Sequence, residues 1–257
     1  MVYLDFAASS PLLPAVLDEM HTVSREIYAN SSSLYTPAYT AKRILNESRA
    51  ALARAIGAQN DEIVFSCGGT ESNNLAILGA ARASRKGRHI VVGSVEHSSV
   101  LAPAHTLERE GFSLTLLPCD PNGRYSPAEV AAAIRPDTAL VSLQLGNNET
   151  GVLQPIGEIG AITRAQRVAL HCDAVAAFGH IPIDVGALKV DLLSASAHKI
   201  GGPKGAGFLF VRNEIPILPL FFGGAQERGL RPGTENIPAI AGFAKALTCA
   251  KLPADSS

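Results

Sequence analysis

A chain of 257 residues, 47% hydrophobic and 18% charged, is long enough to bury a core and reads as one large domain. A net charge of −1 and a pI of about 6.7, with no basic stripe or interleaved aromatics, argue against a nucleic-acid partner. No apolar run approaches the roughly 20 residues of a membrane helix, and the start MVYLDFAASSP has an aspartate and no basic n-region to make a signal peptide. Cys67, Cys119, Cys172 and Cys249 form no CxxC pair and no tight framework, so neither a metal site nor a disulfide scaffold is expected. They read as reduced thiols of a cytosolic protein.

In chain order, residues 14–29 and 38–56 read as amphipathic helices, the second ending near Gly57. EIVF (62–65) is a short strand that runs into a Gly-Gly-Thr turn, and good helix formers follow from Glu71 to Arg85. HIVVG (89–93) and SLTLLP (113–118) are strands, and Ser126 caps a helix over SPAEVAAAI. ALVSLQL (139–145) is wholly apolar but for its serine and glutamine, the pattern of a strand buried on both faces. VALHCDAV (168–175), DLLSASA (191–197) and GFLFV (207–211) complete the set. This alternation predicts a doubly wound α/β fold, with a mostly parallel sheet and helices on both faces. Ligands of such sheets sit beyond the carboxyl ends of the strands. Thr70, His97, Asn148, Asp173, His198 and Lys199 all follow or close a predicted strand, so they converge on one rim.

The rim residues carry a recognisable chemistry. Gly68 and Gly69 let backbone approach a ligand, and the helix behind them turns free N–H groups toward it, which suits a phosphate. An ordinary glycine turn capped by Thr70 explains the same residues. Lys199 follows an apolar strand and precedes a glycine-rich turn, beside a histidine and small hydroxyls. There it can lose its proton and condense with an aldehyde, the way lysine captures pyridoxal 5′-phosphate (PLP); a solvated surface lysine is the plainer reading. Asp173 could keep the pyridine nitrogen of PLP protonated, or could cap a helix. His97 could stack on the ring and shuttle protons, or could be a satisfied core histidine.

The runs YLDFAASSP (3–11), SSSLY (31–35), GGTESNNLAI (68–77), VEHSSV (95–100), NNETGVLQPI (147–156), HCDAV (171–175), SASAHKIGGPKG (194–205) and GGAQERGLRPGTEN (223–236) resemble the cysteine desulfurases. These are PLP enzymes of the class V aminotransferase group with an aspartate-aminotransferase-like fold, and the similarity is to the branch that supplies sulfur for iron–sulfur clusters. The resemblance implies that Lys199 holds the cofactor covalently and shuttles protons, and that His97 stacks on the ring as an acid–base group. By the same likeness Asp173 pairs with the pyridine nitrogen, Thr70, Ser196 and His198 bind the phosphate, and Asn148 orients the substrate carboxylate. Thr234 would reach the phosphate of a partner subunit, which implies a homodimer. The implied reaction takes sulfur from L-cysteine and leaves L-alanine and an enzyme persulfide, for delivery to an acceptor or scaffold protein in the cytoplasm.

The chain departs from that pattern in four places. Ala176 stands where the family has a glutamine, Phe6 where it has an asparagine, and Tyr35 where it has a histidine. The fourth is length: a smaller C-terminal domain, with the sulfur-accepting cysteine and a carboxylate-binding arginine, follows in the family where this chain reads KLPADSS. The expected organisation is an N-terminal arm over residues 1–16 and a PLP-binding large domain over residues 17–257, the small domain missing and the activity impaired. Two other expectations fit the same residues: another PLP-dependent cysteine or selenocysteine lyase, or a non-catalytic remnant that dimerises or binds a partner.

Overall fold

The computed structural model describes residues 2–250. Strands β1 (Ile63–Ser66), β2 (His89–Gly93), β3 (Ser113–Leu117), β4 (Thr138–Gln144), β5 (Ala169–Asp173), β6 (Leu192–Ser196) and β7 (Gly207–Val211) form one sheet in the order β1-β7-β6-β5-β4-β2-β3. Each lies within two residues of its predicted bounds. The pairings from β6 through β3 are parallel, as expected, while β7 runs antiparallel to both neighbours.

Helices cover both faces, because every central strand buries both of its faces. Val91, Val141, Leu143, Leu170, Cys172, Leu193 and Phe208 point into one core. Helices α1 (Pro14–Glu26), α2 (Thr36–Arg54), α6 (Pro127–Ala133), α7 (Ile156–Ala165) and α9 (Ile237–Cys249) pack on that side. Ile90, Val92, Leu140, Leu192 and Leu209 point into the other core, under α5 (Ser98–Arg109) and a helical run that begins with α3 (Gly69–Asn74). That run continues through a π turn at Leu75–Gly79 to α4 (Ala80–Ala83). A short α8 (Val185–Leu188) precedes β6.

Helices α5, α7 and α9 were not among the elements expected from sequence, and each has a physical reason. Helix α5 carries Pro103 in its interior, and α7 carries Gly157 and Gly160, residues that disfavour helices locally. Helix α9 is apolar nearly all round, so it shows little amphipathic period. Packing decides all three: α9 lays Phe243 against Phe178 and Phe208, ring centroids 5.7 and 5.8 Å apart.

The parallel strands place a crevice. After β2 the chain goes outward to β3, then returns to the other side of β2 to make β4, and continues to β5 and β6. The order therefore reverses between β2 and β4, and loops on either side of that point diverge and leave a cleft at the carboxyl ends.

Candidate active site

The cleft is a cavity of about 210 Å³ beyond the ends of β2, β4, β5 and β6. Thr70, His97, Asn148, Asp173, His198 and Lys199 line it, brought from the ends of five different strands. Ser196, also expected here, lies just beneath, buried at the end of β6 with no hydrogen-bond partner for its hydroxyl. Thr234 is not in this cavity. It lines a second one with Cys67, Gly205 and Arg231.

The turn between β1 and α3 depends on glycine. Gly68 has φ +148°, and a side chain at Gly207 would come within 2.6 Å of Gly68 Cα, so the two backbones can meet only without side chains. Glu71 closes the turn: its carboxylate accepts from the Cys67 N–H at 2.7 Å and from Arg231 Nε at 2.9 Å. Burial alone would raise the Glu71 carboxyl, but Arg231 and the Cys67 thiol and N–H outweigh it and hold it below the usual range. A depressed carboxyl stabilises the fold above its unfolded pKa, near 4.5, and that stability is lost as pH falls through the folded value. Glu71→Gln should therefore cost about 1–2 kcal/mol at pH 7 and flatten the loss of stability below about pH 5. Equal acid limbs for the two proteins in thermal melts would contradict this.

Lys199 Nζ donates to Ala8 O at 3.0 Å and to Ala7 O. The N-terminal segment that supplies those carbonyls is itself pinned by Ser10, whose hydroxyl donates to His198 O at 2.8 Å and accepts from the Gly201 N–H at 2.6 Å. Burial pushes the Lys199 ammonium below its ordinary range, against the pull of Asp5 and Asp173. His198 is likewise lowered by burial, helped by Lys199 and Lys204.

Asp173 is buried at the end of β5 and accepts from the Val175 N–H at 2.9 Å and from Asn73 Nδ2 at 2.7 Å. Burial raises its pKa; the two donors, His97 and Lys199 oppose the rise. Cys172, one residue earlier, faces the opposite core, as strand alternation requires. His97 caps α5, and the segment before it is locked to β4. Gln144 Nε2 and Asn147 Nδ2 both donate to Val95 O, at 3.1 and 3.3 Å, and Glu96 Oε1 accepts from Tyr125 and from the Gln144 N–H. Burial drives the buried Glu96 carboxyl well above its usual range, and the charge of Asp173 adds to the rise. Asn147 spends its Oδ1 on Glu149 and Thr150 of its own loop, which leaves Asn148 to line the cavity.

Sequence reasoning missed Asn73, Ser99 and Gln144, which also line the cavity. Asn73 and Ser99 stand in the runs GGTESNNLAI and VEHSSV, and Gln144 interrupts the apolar strand ALVSLQL, but none of these signals assigns a role. Among the described residues, neither a cysteine nor an arginine lines it.

A model of the family "Aminotransferase class-V" matches residues 2–255 of the chain. Over its full length the chain is 47% identical to the cysteine desulfurase IscS of Methanosarcina thermophila, and 46% identical over 99% of its length to that of Dictyoglomus turgidum. It spans 64% and 65% of those two curated relatives' lengths. Among solved structures it superposes on SspA in complex with cysteine with a TM-score of 0.94, at 40% identity, covering all of this chain and 74% of that one.

Proposed function

Given that this chain belongs to the class-V aminotransferase family of PLP enzymes, whose curated relatives here are cysteine desulfurases, we propose that it binds PLP through Lys199 and acts on L-cysteine. The observation that carries the reading is one cavity in which Lys199, Asp173 and His97 arrive from the ends of three different strands.

The residues fit the cofactor. Ser196 has a buried hydroxyl without a partner, and a side chain at Gly68 would sit 3.8 Å from it, so the glycine turn and that hydroxyl frame one small polar space. Together with Thr70, His198 and the N–H groups that open α3, they supply donors for a phosphate. Asp173 is a buried carboxyl whose hydrogen-bond partners are neutral donors, and a pyridinium N–H would give it the cation it lacks. When bound, PLP supplies an electron sink for the bonds at the substrate's α-carbon. Lys199 would hold the cofactor, and its amine would move a proton at that carbon. His97 would contact the cofactor from the cavity wall, and Asn148 would orient the substrate carboxylate.

The proposed net reaction is L-cysteine plus a thiol giving L-alanine plus a persulfide, the sulfur passing to an acceptor protein in the cytoplasm for iron–sulfur clusters. We assign Thr234 to the phosphate of the partner subunit in a homodimer; its place outside the Lys199 cavity supports that, as do the exposed Tyr28, Leu34 and Tyr39. Residues 1–16 are proposed as an arm and residues 17–257 as the cofactor domain; residues 1 and 251–257 lie outside the described residues. Among the described residues no helix is long and apolar enough to cross a membrane. The absence of cysteine and arginine from the cavity favours one second reading, a chain that binds cofactor and partner without turnover by itself.

Titration of the purified chain with PLP tests the proposal. It should develop a visible absorption band that borohydride bleaches; a chain that takes up no PLP ends the reading. Ala176 lines the cavity, and Ala176→Gln should tighten PLP about 2- to 10-fold, the worth of one hydrogen bond of about 0.5–1.5 kcal/mol. Unchanged or weaker affinity would mean that the cofactor's ring oxygen is served by another group.

A further inference from the structure

Asn73 is 1% exposed, and its Nδ2 carries two hydrogens. One points to Asp173 Oδ2 at 2.7 Å and the other to Ser99 Oγ at 2.8 Å. Ser99 Oγ is thereby an acceptor for Asn73, and its own hydrogen is left for His97 Nδ1, 2.7 Å away. The backbone N–H of Ser99 donates to the same Nδ1 at 3.1 Å. A ring nitrogen that receives two donors has no room for a proton of its own, so neutral His97 carries its hydrogen on Nε2. The amide of Asn73 cannot be turned round, because Oδ1 would then face the Asp173 carboxylate. Nothing pairs with Oδ1 as it stands, so the two acceptors alone set its orientation.

We propose that Asn73 and Ser99 are positioning residues that fix the His97 proton on Nε2, so that His97 offers the cavity a hydrogen-bond donor, and that the same amide ties His97 to the Asp173 carboxylate. The meaning of this for cofactor chemistry rests on the reading above; the location of the proton rests on this chain's own contacts. One amide thus serves both faces of the site. It steadies the Asp173 carboxylate, and it dictates which nitrogen of His97 carries a hydrogen. A base at Nε2 would require His97 first to give up the two donors on Nδ1.

The test uses cofactor-free chain with 15N-labelled histidine, in long-range 1H–15N spectra taken about two pH units above the ordinary histidine pKa of about 6.5. His97 should be one tautomer, Nδ1 bare and Nε2 protonated. Ser99→Ala and Asn73→Leu should each let the other tautomer appear, at a fraction on the order of a tenth or more, and Ser99→Thr should restore the single form. Asn73→Leu should also weaken PLP on the order of tenfold, the loss of one hydrogen bond to a charged group. A proton on Nδ1 in the unsubstituted chain, or an even mixture, overturns the proposal whatever the variants do. So does an unchanged tautomer in both variants when they are folded. Nε2 protonated in a chain that takes up no PLP supports this assignment and defeats the cofactor reading, so the two fail separately.

Discussion

Lys199→Ala should lose the PLP absorption band entirely, and borohydride should fix no label in it. The side chain stands where β6 ends, in a connection closed at its base by the Ala197 N–H on Ala206 O at 3.1 Å, so its Nζ is delivered to one place. Its Nζ donates to the carbonyls of Ala7 and Ala8, neutral groups that an incoming aldehyde can displace. Burial lowers its pKa, so the nucleophilic neutral amine is present at a lower pH than for a free lysine. The sign follows directly: attachment should speed up as pH rises, with a midpoint below the usual 10.5. Lys199→Arg keeps the charge and should be as colourless as the alanine variant. Peptide mapping after reduction should place the label on Lys199. A retained band in Lys199→Ala, a label on another lysine, or a midpoint at or above 10.5 would each contradict the assignment.

The 257-residue chain assayed alone should make alanine from cysteine at less than about a thousandth of the rate of a full-length relative. Transfer of sulfur to a thiol requires a thiolate near the substrate sulfur. Among the described residues no cysteine lines the cavity, and two of the four cysteines are poor thiolates. Burial, with Glu71's hydrogen bond and charge, pushes the Cys67 thiol up to about 11. Cys172 is fully buried and driven well above its usual range, chiefly by that burial and then by Asp173 and Glu96. Nor does an arginine line the cavity to grip the substrate carboxylate in a bidentate pair. Positioning of reacting groups accounts for about 7–11 kcal/mol in favourable cases, so its absence outweighs what Lys199, His97 and Asp173 retain. With L-cysteine, PLP and a thiol reductant, the expected result is a change in the spectrum with little alanine. Sustained alanine production that vanishes in Lys199→Ala would sink this expectation. Pyruvate in place of alanine would point instead to a carbon–sulfur lyase.

The parts of the site legible in the sequence are those that end strands. An apolar run such as ALVSLQL announces a buried strand, and the polar residue that stops it must lie at the rim; that logic placed Asn148, Asp173, His97 and Lys199. Direction is not written in such runs. GFLFV reads alike either way, and only the structure reveals that β7 is reversed. Contacts between distant residues were also hidden. Asn73 meets Ser99 across 26 positions and Asp173 across 100, and no local pattern marks a pair like that. Thr234 shows the same limit, since its motif is visible while its cavity is set by how residues 223–236 fold back on Glu71.

The contacts that pin the N-terminal segment bear on how the molecule assembles. Ser10 and His198 meet across 188 residues, and Ala8 and Lys199 across 191. Closing a loop of that length costs entropy that contacts local in sequence do not offset, so we expect such contacts to form late in folding. During synthesis the first ten residues emerge long before their partners do, at about 5–20 residues per second. The pocket around Lys199 is thus expected to be among the last places completed. The moment at which a nascent chain first turns yellow would date the closure of the whole domain.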